Sequence, residues 1–224
     1  MITLRDGTAV GGSTLVVPRT SRVVDLNIAS HGDSISRDLG LSNYVYQLRS
    51  LILAETGDYA SIAQRGINGI SYNYRWPFEP QNVTMITDAP TSVDPTQADG
   101  IDDWLLVFAG TNGIAINGNS AATEYADFKT YITARISAGW TADNIVVATM
   151  LPRTGVTDSI RQDFNTALVG DDGGYGYRLA RLDLNANIGD AGDDANATYF
   201  YDGTHPTAAG HAIIAQIFYD AMFP

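Results

Sequence analysis

The feature that most limits how this chain can fold is an alternation. Five short, apolar, β-branched runs, at 23–29, 59–64, 104–109, 145–150 and 178–184, are separated by stretches with helical periodicity. Strands that alternate with helices cannot pair as hairpins, so the pattern predicts a five-stranded parallel sheet with helices on both faces. The first helix is marked by Leu41, Tyr44, Val45, Leu48, Leu51 and Ile52, with Gly57 as its stop. The last is marked by Ile213, Ile214, Ile217, Phe218 and Met222, with Pro206 and Thr207 at its start. Further helices are predicted over 123–137 and 158–169. Two segments read as long loops, 78–103, rich in Pro, Thr and Asp, and 185–198, rich in Gly, Asp and Asn. Residues 2–17 read as a small hairpin or edge extension. The expected organisation is therefore an N-terminal extension over 1–20 and one domain over 21–224.

Composition removes several function classes. The chain has no cysteine, so thiol nucleophiles, disulfides and thiolate metal sites are excluded. A formal charge of −12 with thirteen scattered basic residues argues against nucleic acid as a partner. The single lysine, Lys129, belongs to no Ser-x-x-Lys pattern, which disfavours a serine–lysine dyad. No apolar run approaches the ~20 residues of a membrane-spanning helix. The first twenty residues do not read as a secretory signal. The expectation on location is export with the signal removed, ahead of a cytoplasmic protein; the oligomeric state is left open.

Two short stretches at opposite ends supply a Ser, His and Asp set: Gly32-Asp33-Ser34 and Asp202-Gly203-Thr204-His205-Pro206. A serine hydroxyl attacks poorly at neutral pH until an imidazole takes its proton, and a carboxylate fixes that imidazole's tautomer. Asp202 and His205 are three residues apart, a spacing that one helical turn would bring together. Ser34 follows the first strand, at the sheet edge where open parallel sheets bind ligands. Asn112 follows the third strand at the same edge, and Gly69 follows the second. The N–H groups of Ser34 and Gly69 with the Asn112 amide make three candidate donors for an oxyanion.

These blocks, Gly32-Asp33-Ser34, Gly66 to Gly69, Gly110-Thr111-Asn112 and Asp202 to Pro206, resemble in kind and order those of the SGNH hydrolases, also called GDSL esterases and lipases. The resemblance implies a flavodoxin-like three-layer α/β/α sandwich. It implies Ser34 as nucleophile, His205 as general base and then acid, Asp202 as its partner, and Ser34, Gly69 and Asn112 as the oxyanion hole. Gly66 is the alternative to Gly69. The sequence departs from the family in one place, where Gly113 stands after the asparagine in place of the usual aspartate.

Other candidates take structural readings. Asp33 is expected to brace the turn that presents Ser34. His31 has no carboxylate at a suitable spacing in sequence, and His211 lies on the apolar stripe of the last helix. The acidic loop 190–194 lacks the ligand spacing of a calcium loop. Tyr72, Tyr74, Trp76 and Phe78 alternate at period two, so in an extended segment all would face one side; either these rings cover the core, the reading slightly favoured, or they form a platform for a sugar ring or acyl chain, with Tyr72, Tyr74 and Trp76 as candidates for substrate contact. The expected activity is serine-dependent hydrolysis of carboxylic esters, of short acyl groups such as acetyl, on a small molecule or carbohydrate, with no metal or organic cofactor. The alternatives are a non-catalytic carbohydrate-binding or virion-associated module and, among enzymes, a lipase, lysophospholipase or thioesterase.

Overall fold

A computed structural model describes residues 25–37, 40, 42–78, 83–98, 101–171 and 173–224. The expected N-terminal hairpin lies outside these residues, as does the start of the first predicted strand. Five strands, β1 (Leu26–Gly32), β2 (Ala60–Gly66), β3 (Asp102–Phe108), β4 (Ile145–Ala148) and β5 (Arg178–Ala180), form one sheet in the order β2-β1-β3-β4-β5, every pairing parallel. This is the doubly wound order in which the chain turns back between β1 and β3, the crevice where such sheets bind ligands.

β1 is buried along its whole length and β3 along its last five residues. Successive side chains go to opposite faces, as a two-residue period requires. Ile28, Leu106, Phe108, Val146 and Ala148 join one core layer, and Ala29, Leu105, Val107, Ile145 and Val147 the other. The first layer is covered by α1 (Tyr44–Glu55) and α6 (Ala208–Met222). The second is covered by α2 (Met85–Ser92), α4 (Ala121–Ser137) and α5 (Asp158–Gly170). The short helix α3 (Thr111–Ala115) follows β3. The fold is thus the expected α/β/α sandwich. No described helix is long and apolar enough to cross a membrane.

Two helices depart from the sequence reading, α3 and α2. The segment 78–103, expected to be a loop, contains α2 and a turn of 3₁₀-helix over Asp94–Thr96. Pro90 lies inside α2 and breaks its helical signature, while the Thr84 side chain accepts from the Thr87 N–H and caps the first turn. By contrast α1 ends where expected, with Gly57 at φ +79° after the Thr56 cap, and α6 starts from a Thr207 cap.

Candidate active site

The chain leaves β1 into a tight turn that carries Ser34. Asp33 Oδ1 accepts from the Ile35 N–H at 2.9 Å, and its carbonyl accepts from the Ser36 N–H at 3.1 Å. Two side chains from the start of α1 hold the turn from below. The Tyr44 hydroxyl lies 3.0 Å from Ser30 Oγ and 2.9 Å from Ser36 Oγ. Asn43 caps α1 through its side-chain oxygen and donates its amide to the carbonyls of Ile35 and Arg37. The turn is therefore tied to the helix that follows it, and Ser34 is left facing solvent in part.

His205 reaches Ser34 from the loop before α6. Its Nε2 is 2.9 Å from Ser34 Oγ, and its Nδ1 is 2.8 Å from Asp202 Oδ2. The Asp202–His205 stretch is a bend and not the helical turn that its spacing suggested. Asp202 Oδ1 accepts from the backbone N–H groups of Thr204 at 3.0 Å and His205 at 2.8 Å, so the carboxylate organises the loop through one oxygen and holds the imidazole through the other. Burial alone would raise the Asp202 pKa; these backbone bonds and the imidazole hold it below its usual range. Tyr201 stacks on the imidazole, ring centroids 5.5 Å apart and 16° from parallel.

Ser34, Gly69, Asn112 and His205 all line one cleft of about 450 Å³. Gly69 holds φ +70°, the left-handed region, and a Cβ there would come within 2.6 Å of the Trp76 side chain. Among the described residues, neither the Ser34 nor the Gly69 N–H has a hydrogen-bond acceptor. Asn112 is more committed. Its Nδ2 donates to the Ile70 carbonyl at 3.0 Å and makes a longer 3.4 Å contact with Asp33 Oδ2. Arg153 Nη1 donates to its Oδ1 at 3.0 Å, so partners on both sides fix which end of the amide is which. Gly66 does not line the cleft. It ends β2 where a Cβ would lie 2.1 Å from the Arg37 nitrogen, so its lack of a side chain serves close backbone packing.

The aromatic segment is not extended, and its period-two reading fails. A turn closes within it, the Ser71 N–H donating to the Tyr74 carbonyl at 2.7 Å. Tyr72 is fully buried between Phe128 and Tyr131, so it cannot meet substrate. Tyr74 is half-buried and does not line the cleft, whereas Trp76 does, at 45 % exposure. Phe78 is exposed and packs edge-on against Trp76.

His31 has a carboxylate neighbour after all, Asp88 on α2, with Nε2 3.4 Å from Asp88 Oδ2 and Nδ1 2.9 Å from the Tyr131 hydroxyl. Burial lowers its pKa. It faces the α2 and α4 layer and not the cleft. His211 is also buried, stacked on Tyr44, and burial lowers its pKa to about 4. In the acidic loop, Asp194 accepts from the Thr154 hydroxyl at 2.8 Å and Asp193 from the Asp190 N–H at 2.9 Å. No group of three His, Asp or Glu among the described residues could hold a metal.

Sequence reasoning missed four residues at or near this cleft. Arg37 and Tyr201 adjoin the two motifs and line the cleft; Arg153 lies just beyond β4, the same strand-end address that pointed to Asn112. Glu124 is the fourth. It is buried on α4 and its carboxylate accepts from Ser71 Oγ and, at 2.8 Å, from the Asn119 amide. A Cβ on Gly113 would fall 1.8 Å from Glu124 Oε2. The volume beside Asn112 that a side chain at position 113 would take is filled by this carboxylate.

No protein-family model matches the chain, and no curated protein sequence does. Solved structures do match. A lipolytic G-D-S-L family member from Veillonella parvula superposes with a TM-score of 0.63 at 15% identity, over 87% of this chain and 97% of that one. A family 3 carbohydrate esterase from Clostridium thermocellum gives 0.60 at 19% identity, over 87% and 94%. A carbohydrate acetylesterase from Sinorhizobium meliloti gives 0.64 at 12% identity, over 87% and 96%. At such identities the likeness is one of fold, and the chain has the fold of these lipolytic and carbohydrate esterase proteins.

Proposed function

We propose that the chain is a serine ester hydrolase of the SGNH type. The observation that carries the reading is the continuous relay from Asp202 through both nitrogens of His205 to Ser34 Oγ, with 2.8 Å and 2.9 Å links, opening on a cleft. The Asp202 hydrogen bond keeps the proton on Nδ1, so Nε2 is free to take the Ser34 proton as Oγ attacks the ester carbonyl. The tetrahedral oxyanion is received by the Ser34 and Gly69 N–H groups, with Asn112 sharing the N–H that makes the longer contact to Asp33. His205 Nε2–H then protonates the departing alcohol. Water repeats the sequence on the acyl-enzyme and releases the acid and free Ser34.

Within that class we favour short acyl groups, acetyl foremost, on a carbohydrate. Support comes from the exposed Trp76 and Tyr201 rings beside a cleft with polar Asn68 and Thr204, which suit a sugar face better than a long acyl chain. Two of the solved relatives are described as carbohydrate esterases. The test is labelling by a fluorophosphonate together with turnover of nitrophenyl esters of increasing chain length. Wild-type protein should label at Ser34 and be fastest on acetate, and Ser34→Ala should do neither while keeping its fold. An unlabelled wild type would favour a non-catalytic module, and a maximum at eight carbons or more would favour a lipase or thioesterase.

A further inference from the structure

The charge of the cleft is opposite to that of the molecule. In a chain of formal charge −12, the described residues that line the cleft include two arginines, Arg37 and Arg153, and no Asp or Glu. Four other arginines, Arg65, Arg135, Arg161 and Arg181, are neutralised by ion pairs with aspartates. Arg37 and Arg153 form no ion pair among the described residues. Arg37 is exposed, and its backbone N–H donates to the Ser34 carbonyl at 3.3 Å, so its guanidinium is rooted one turn from the candidate nucleophile. Arg153 is half-buried. Among the described residues, Nη1 is its one guanidinium nitrogen with partners, Thr111 Oγ1 at 3.4 Å and Asn112 Oδ1 at 3.0 Å, while Nε is buried with none. Asp33 and Asp202 act on Arg153 through space without pairing with it.

Two guanidinium groups that line one cleft without an ion-pair partner among the described residues are free to receive an anion, and a guanidinium fork suits a carboxylate. We infer that the cleft takes acyl esters of an acidic sugar, the sugar's carboxylate lying between Arg37 and Arg153 and its ring against Trp76 and Tyr201. This rests on the ester hydrolase reading and names its substrate class. The carboxylate belongs to the alcohol part, because the aromatic rings that would hold a sugar line the same cleft as the arginines.

The test compares two acetylated sugars of the same linkage, an O-acetyl methyl glucuronoside and the matching O-acetyl methyl glucoside. The wild type should favour the glucuronoside about tenfold or more in kcat/KM at low salt, and the ratio should fall as ionic strength rises. Arg37→Gln should bring the ratio close to one and Arg37→Lys should keep part of it. A ratio at or below one in the wild type, or one unchanged in Arg37→Gln, overturns the inference. So does faster release of a hemisuccinate from the glucoside than of acetate from the glucuronoside, which would move the anion to the acyl side. Calorimetry on the Ser34→Ala protein separates the two readings. Tighter binding of the glucuronoside, with a wild type that hydrolyses nothing, would sink the hydrolase and leave the acidic-sugar site standing; equal binding of both sugars would sink the site alone.

Discussion

Asn112 can serve an oxyanion only if α3, which carries it, keeps its place, and one steric relation next to it governs that. Gly113 has no side chain because the Glu124 carboxylate occupies the space, at a separation from an added Cβ that no pair of atoms tolerates. Burial pushes the Glu124 carboxyl up to about 7, against the lowering effect of its bonds from Ser71 and Asn119. Gly113→Ala should displace that carboxylate and cost about 1–3 kcal/mol through overpacking. Glu124→Ala should cost a similar ~1–3 kcal/mol by stranding the Ser71 hydroxyl and the Asn119 amide. The double variant should lose less than the sum of the two by about 1 kcal/mol or more, since the new methyl enters the vacated space. Urea unfolding of the four proteins measures this, and strict additivity would mean that the two positions do not compete. The sequence displays Gly113 as a departure from a family pattern. It cannot display the compensating carboxylate, which arrives eleven positions later on a different helix and becomes a neighbour only when α4 packs.

Between elements, the junction of α1 with α6 stores a pH response. His211 on α6 lies flat on Tyr44 of α1, ring centroids 6.1 Å apart, and neither ring nitrogen has a hydrogen-bond partner among the described residues. Burial, helped by the nearby His205, holds its pKa at about 4, below the ordinary 6.5. A histidine lowered in this way is neutral in the folded protein while the unfolded chain still binds a proton. Its contribution is therefore intact above pH 6.5 and is lost as pH falls from there through 4. Two carboxyls run the other way. Asp33 is raised by burial to about 6 and Glu124 to about 7, so their contributions are lost as pH rises. The wild-type profile mixes these, and a difference between proteins isolates the histidine. His211→Phe should gain about 2 kcal/mol on the wild type between pH 7 and pH 5, from the width of the window. Equal slopes for the two proteins over that range would place the His211 pKa near its ordinary value. This helix was legible in the sequence, stripe and start included, because local periodicity writes it. α2 was not, because Pro90 breaks the pattern, and the pairing of its Asp88 with His31 spans the chain from one element to another. For the same reason the strand-end rule located Ser34 and Asn112, while the burial of Tyr72 against α4 was out of reach.

At the scale of the molecule, one sheet separates two cores that share no side chains. The layer under α1 and α6 and the layer under α4 and α5 receive alternate residues of the same strands, so each strand is common property and each layer is private. The site depends on both. The turn that carries Ser34 is braced by Asn43 and Tyr44 from the first layer, whereas Glu124 beside Gly113 comes from the second, and Ser34 and Asn112 line one cleft because β1 and β3 adjoin at the turning point of the sheet. This arrangement predicts two things at once: local losses that add, and unfolding that stays single. Ile52 on α1 and Ile132 on α4 are both fully buried on opposite sides of the sheet. Ile52→Val and Ile132→Val should each cost about 0.5–1.5 kcal/mol, the price of one buried methyl and the cavity it leaves. Having no common partner, they should add to within about 0.5 kcal/mol. Because the strands belong to both layers, neither half can melt alone, and the double variant should still unfold in one transition by fluorescence and far-UV circular dichroism. Separated transitions by the two probes would mean that the layers are independent folding units, and that the two halves of the candidate site could come apart under stress.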